Sequence, residues 1–100
     1  MLVSSLDKEY ILRELRALKP ELSDCYKVSK IGIFGSVARN EATEESDIDI
    51  VVEMEPNMLK RVGLKQKLEK VFNRDVDVIR YRDRMNPYLK SQIDRDAIYA

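Results

Sequence analysis

Apolar residues recur along the chain at two different intervals, and the change of interval marks its elements. Ile11, Leu15, Leu18 and Leu22 are spaced by four, three and four, one stripe of a helix. Ser4-Ser5-Leu6-Asp7 supplies a serine cap with an acid three residues on, and Pro20 disfavours helix at Lys19. The pattern predicts a helix over about 5–19 and a connection over Glu21 to Lys27. From Val28 to Phe34 the interval drops to two. Ile31 and Ile33 share one face of a strand, Gly32 and Phe34 the other. Gly35 ends that strand, Ser36 to Arg39 starts a short helix, and Asn40 to Ser46 is a polar loop. Asp47 to Met54 alternates again, with Ile48, Ile50 and Val52 opposite Asp49 and Val51.

Pro56-Asn57 is a turn. Met58 to Phe72 is a second long helix, with Leu64, Leu68, Val71 and Phe72 on one face and Asn73 as a left-handed cap. Val76-Asp77-Val78-Ile79 is a short β-branched strand. After a loop over Asp83 to Pro87, Pro87 opens a last helix with Leu89, Ile93 and Ile98 as a rough stripe. The order α-β-α-β-α-β-α describes a small mixed sheet with flanking helices, of the α/β or α+β class. The second and third strands, joined through a helix, are expected to be parallel. The short link between the first and second permits an antiparallel pair.

One hundred residues with 44% apolar and 36% charged side chains fit one soluble domain, 1–100. No apolar run reaches a membrane span of about 20 residues, and the first residues do not read as a signal peptide. Cys25 is alone, so no internal disulfide forms and a cytoplasmic setting is expected. Histidine is absent, which excludes His-based triads. Formal charge is zero, but residues 1–50 carry 7 Lys/Arg against 10 Asp/Glu and residues 51–100 carry 11 against 8. That balance argues against a protein that coats nucleic acid.

Two features in the middle of the chain carry candidate chemistry. Asp47 and Asp49 are two apart on a strand, so their carboxylates share a face and can converge on hard cations such as Mg²⁺. Asp77, near the start of the third strand, joins them if the two strands are parallel neighbours. Gly35 allows close backbone approach to a ligand, and Ser36 adds a hydroxyl beside the N–H groups that begin the next helix. Such a turn can hold the phosphates of a nucleoside triphosphate, with metal ions about 4 Å apart serving an in-line displacement at phosphorus. Each feature alone has a plainer reading. Gly-Ser after a strand is often only a turn, and Arg39 can pair with a loop glutamate as well as reach a phosphate. Glu41, Glu44 and Glu45 read as solvated surface. Tyr81, Tyr88 and Tyr99 read as packing or interface residues, and Cys25 as inert.

The combination is more specific. Gly35-Ser36, ten residues, Asp47-x-Asp49 and then Asp77 in a later apolar strand resembles the signature of the DNA polymerase β superfamily of nucleotidyltransferases. The run GSVARNEATEESDIDIVVE resembles the minimal nucleotidyltransferase (MNT) domains. The chain departs from that pattern at Asn40 and Asn73, where glycine is common, and asparagine tolerates the same left-handed backbone. The resemblance implies a palm-like fold, triphosphate binding at Gly35 and Ser36, and Mg²⁺ at Asp47 and Asp49 with Asp77 completing the site. It further implies a HEPN-domain toxin as partner, in a hetero-oligomer. AMP would pass from ATP to a tyrosine hydroxyl of that toxin, which the antitoxin thereby neutralises. Two other readings remain open. One is an antitoxin that masks its partner without catalysis, and the other is transfer to a small molecule or an RNA end.

Overall fold

The computed structural model describes residues 7–100. Its elements are α1 (Lys8–Tyr26), β1 (Val28–Phe34), α2 (Gly35–Ala38), β2 (Ile48–Met54), α3 (Met58–Phe72), β3 (Val76–Arg80), α4 (Pro87–Asp96) and β4 (Ile98–Tyr99). The sheet runs in the order β3-β2-β1-β4. β2 and β3 are parallel, with α3 as the crossover between them, and β1 is antiparallel to both β2 and β4. No described helix is long and apolar enough to cross a membrane.

The period-two pattern fixes what each face of the sheet meets. Ile31, Ile33, Ile48, Ile50, Val52, Val76 and Val78 pack with Ile11, Leu15 and Leu22 of α1 and with Leu64, Leu68 and Phe72 of α3. The alternate residues Phe34 and Val51 pack with Met85 and Ile93 on the α4 side. Asp49 and Asp77 alternate with these apolar positions, so they stand on the α4 face, near one end of the sheet.

Three expectations are corrected. α1 continues through Pro20 to Tyr26, so Glu21 to Lys27 is mostly helix. Continuation buries Leu22 completely and lets Glu21 meet Lys67 at 2.8 Å, which offsets the hydrogen bond that proline cannot donate. The serine cap at Ser4-Ser5 falls outside the described residues. Asp7 is the cap, its carboxylate accepting from the Glu9 N–H at 2.9 Å, so the helix begins at Lys8 rather than near residue 5. Finally, Ile98 is not on the last helix. The backbone turns extended at Ala97, and Ile98–Tyr99 adds a fourth strand opposite Gly32 and Ile33.

That fourth strand depends on Gly32. A Cβ there would collide with the Ile98 carbonyl and lie 2.9 Å from the Tyr99 Cα. Gly32→Val is expected to cost about 1–3 kcal/mol by overpacking. It should also speed hydrogen exchange at the Ala100 N–H, which donates to the Ile31 carbonyl at 2.9 Å. Unchanged protection at Ala100 would contradict this account of β4.

Candidate active site

The site is built where β1 ends and β2 and β3 begin. Gly35 has φ +71°, and a Cβ on it would collide with the Asp49 carboxylate. The glycine backbone and a carboxylate of the neighbouring strand are therefore in direct apposition. Side chains of L-residues disfavour this conformation by roughly 1–2 kcal/mol, so glycine meets both demands. The four-residue helix α2 follows, and its opening N–H groups have no acceptor within it. Ser36 is half-buried at its start.

Asp49 lies opposite Asp77 in the parallel β2–β3 register. Neighbouring strands put their backbones about 4.8 Å apart. Asp47 stands one residue before β2, two positions from Asp49, and like Asp77 it is exposed. The loop that delivers Asp47 is pinned at both ends. The Ser46 hydroxyl accepts from the Thr43 N–H at 2.9 Å, the Arg74 guanidinium donates to the Glu44 carbonyl, and the Ile48 N–H donates to the Asp75 carbonyl at 3.1 Å. At the loop's start, Asn40 adopts φ 62°, so the left-handed turn survives without glycine. Asn73 does the same at φ 52° before β3.

Electrostatics tie the three acids into one system. Burial pushes the Asp49 carboxyl up to about 6, and the nearby charges of Asp77 and Asp47 push in the same direction, while Arg39 opposes them. Like charges held together at a half-buried position are unfavourable unless a cation joins them. The donor set, carboxylate oxygens on adjacent strands, fits a hard divalent ion. Among the described residues no three acidic side chains already converge on one metal position. The fit therefore rests on donor chemistry and on the raised affinity of Asp49 for a positive charge.

Arg39 follows α2 and faces two acids. Its Nε donates to Glu41 at 3.1 Å, the loop pairing the sequence allowed, and its Nη1 donates to Asp96 at 2.7 Å. Asp96, at the end of α4, has a side chain only 7% exposed. Hydrogen bonds from Arg95 and Arg39 hold its carboxyl below the usual range. Sequence reading missed Asp96, which lies 57 residues from Arg39 in a helix turn with no motif of its own. It locks α4 to α2 and fixes where the Arg39 guanidinium sits.

Residues 15–100 match the family described as Nucleotidyltransferase domain. The chain belongs to this nucleotidyltransferase family. It is 46% identical over 89 residues to a Methanocaldococcus jannaschii protein assigned by name to the protein adenylyltransferases, covering 85% of this chain and 89% of that one. Identity is 38% over 98 residues to the protein adenylyltransferase MntA of Thermococcus cleftensis, covering 96% and 94%. Among solved structures, a minimal nucleotidyltransferase superposes with a TM-score of 0.76 at 33% identity, covering 92% of this chain and 94% of that one. A toxin–antitoxin complex with AMP-PNP gives 0.69 at 28% identity, covering 84% and 69%. A tri-AMPylated Shewanella oneidensis HEPN toxin in complex with its MNT antitoxin gives 0.58 at 27%, covering 94% and 68%. The expected mixed-sheet nucleotidyltransferase fold and enzyme class are thus borne out.

Asp96→Asn tests the α2–α4 lock in this nucleotidyltransferase. The variant is expected to lower the unfolding temperature at neutral pH and to raise the KM for the nucleotide substrate several-fold. Because the Asp96 carboxyl is held down, its contribution is fully present above the ordinary carboxylate value and is lost as pH falls through the lowered one. The stability difference should therefore vanish in acid. A difference that persists once acid has protonated Asp96 in the folded chain would contradict the role given to the ionised pair.

Proposed function

We propose that the chain is an antitoxin that transfers AMP from ATP to a tyrosine hydroxyl of a HEPN toxin encoded beside it. The observation that carries the reading is the apposition of the Gly35-Ser36 turn with the Asp49 carboxylate, and of Asp49 with Asp77. A triphosphate laid on the turn would place its phosphorus atoms beside the acids. The names of the relatives and the assemblies of the structural neighbours supply the substrate class and the acceptor class.

In this reading Gly35 and Ser36 orient the β- and γ-phosphates through N–H groups and the Ser36 hydroxyl. Asp47 and Asp49 would hold Mg²⁺, with Asp77 as a further ligand. When bound, Mg²⁺ supplies charge neutralisation on the phosphates and on the leaving pyrophosphate. Asp77 also stands where it can receive the proton of the attacking hydroxyl, since it lies beside Asp49 at the open, exposed edge strand. The acceptor oxygen bonds to the α-phosphorus, the bond from that phosphorus to the bridging oxygen breaks, and pyrophosphate departs. Arg39, fixed by Glu41 and Asp96, offsets negative charge at the same end of the sheet.

Incubation with ATP labelled at the α-phosphate, Mg²⁺ and the neighbouring-frame protein tests the acceptor. Label is expected on that protein, on tyrosine, and only with a divalent ion present. Label on RNA or on a small molecule, with none on the protein, would replace this acceptor with the other class.

A further inference from the structure

The opposite end of the sheet carries the reverse charge. β2 is seven residues long, so its far end lies roughly 20 Å from the carboxylates. There Lys27, Lys60, Arg80 and Arg82 line an open groove of about 830 Å³. Arg61, Arg80 and Arg82 also border an adjoining hollow of about 260 Å³. Among the described residues none of these five cations forms an ion pair; Arg80 donates only to the Met54 carbonyl, at 3.4 Å. The acids on the rim are fewer. Glu53 is engaged by Lys30 at 3.7 Å and Asp83 by Lys90 at 3.9 Å, leaving Glu55.

The same end exposes aliphatic surface. Met54, Pro56 and Met58 line the smaller hollow. Met58 and Leu59, on the first turn of α3, are 71% and 86% exposed, and Val62 continues them one turn on. Guanidinium groups around methionine and leucine describe a protein-binding surface. Arginine and methionine are enriched at interfaces, and exposed methionine adapts to a partner's shape. A single-stranded nucleic acid calls for aromatic platforms. Among the described residues the only ring on the larger groove, Tyr81, is tied by its hydroxyl to Asp94 at 2.8 Å.

We infer that this remote end of the sheet is a docking surface for a segment of the acceptor protein that carries carboxylates around an aliphatic anchor. The inference rests on the reading that the acceptor is a protein. Charge complementarity decides the occupant: unpaired cations seek carboxylates, and the aliphatic floor seeks a side chain to bury. Contact here, away from the chemistry, would hold the acceptor while its hydroxyl is presented at the other end.

The test measures binding of the neighbouring-frame protein to the wild type, to Arg82→Glu and to Leu59→Asp, alongside binding of AMP-PNP with Mg²⁺. Both substitutions are at exposed positions, and thermal unfolding checks that they fold. Each is expected to weaken partner binding by about tenfold or more, roughly 1.4 kcal/mol, and to leave AMP-PNP affinity unchanged. Wild-type binding should weaken with added salt, and Arg82→Glu should reduce that dependence. Partner binding unchanged in both variants overturns the proposal, as does a wild type that does not bind the partner. So does loss in Arg82→Glu of binding to a single-stranded RNA oligonucleotide, with partner binding intact. If the variants lose binding but the wild type moves no AMP, the transfer reading fails and the surface stands. If wild type and variants label a limiting partner equally, the surface fails and the transfer reading stands.

Discussion

Asp49→Asn is expected to abolish nucleotidyl transfer and, at the same time, to make the protein more resistant to heat at pH 7. The loss follows from removing the central carboxylate of the site. A fall of roughly a thousandfold or more corresponds to about 4 kcal/mol of lost transition-state stabilisation. The gain follows from the raised carboxyl. In the folded chain Asp49 titrates at about 6, against an ordinary value of 3.8. Between those values the folded state holds more protons than the unfolded state, so stability declines as pH rises through that window. Above pH 6 the penalty is complete. Asparagine escapes it, by about 1–2 kcal/mol once screening of a half-exposed group is allowed for. The advantage of Asp49→Asn should therefore be present at pH 7 and absent near pH 4. Mg²⁺ should raise the unfolding temperature of the wild type and not that of the variant. A variant less stable than wild type at pH 7 would show that the three acids do not burden the fold as described.

The second large effect is at Gly35. Gly35→Ala forces a Cβ into the left-handed region and against the Asp49 carboxylate. The conformation alone costs roughly 1–2 kcal/mol, which for a chain of this size lowers the unfolding temperature by roughly 5–15 °C. Displacing Asp49 by about 1 Å is expected to lower the rate about a hundredfold. Gly35→Asn separates the two causes, because asparagine tolerates the backbone but still brings a Cβ. It should lose activity as fully as Gly35→Ala with a smaller loss of stability. The contrasting site is Asn40, also left-handed at φ 62° but exposed; Asn40→Gly should leave activity within about twofold. Full activity in Gly35→Asn would mean that the carboxylate can yield, and that the turn matters only for its conformation.

Much of this site is legible in the chain because it is local. Gly35, Ser36, Asp47 and Asp49 lie within fifteen residues, and strand alternation alone assigns Asp49 its face. Asp77 needed one further step, the parallel pairing of β2 with β3, which the intervening helix supplies. What escaped was non-local. Asp96 meets Arg39 only because the chain folds α4 back over α2. β4 exists only because Gly32 leaves space that a distant Ile98–Tyr99 pair fills. Pro20 misled for a related reason: its local preference to end a helix was overridden by the buried position awaiting Leu22. The basic end of the sheet was visible only as a surplus in the second half of the chain. Its gathering into one groove depends on β1 beginning where β2 and β3 end.

In the proposed function this chain's own carboxylates move an adenylyl group onto a partner protein. The most direct measurement is the intact mass of the neighbouring-frame protein, co-expressed either with the wild type or with the Asp47→Asn, Asp49→Asn double variant. A gain of one or more adenylyl groups is expected with the wild type, located on tyrosine by peptide sequencing, and none with the double variant. An unmodified partner that is nonetheless neutralised by both forms would contradict it and leave masking as the mechanism.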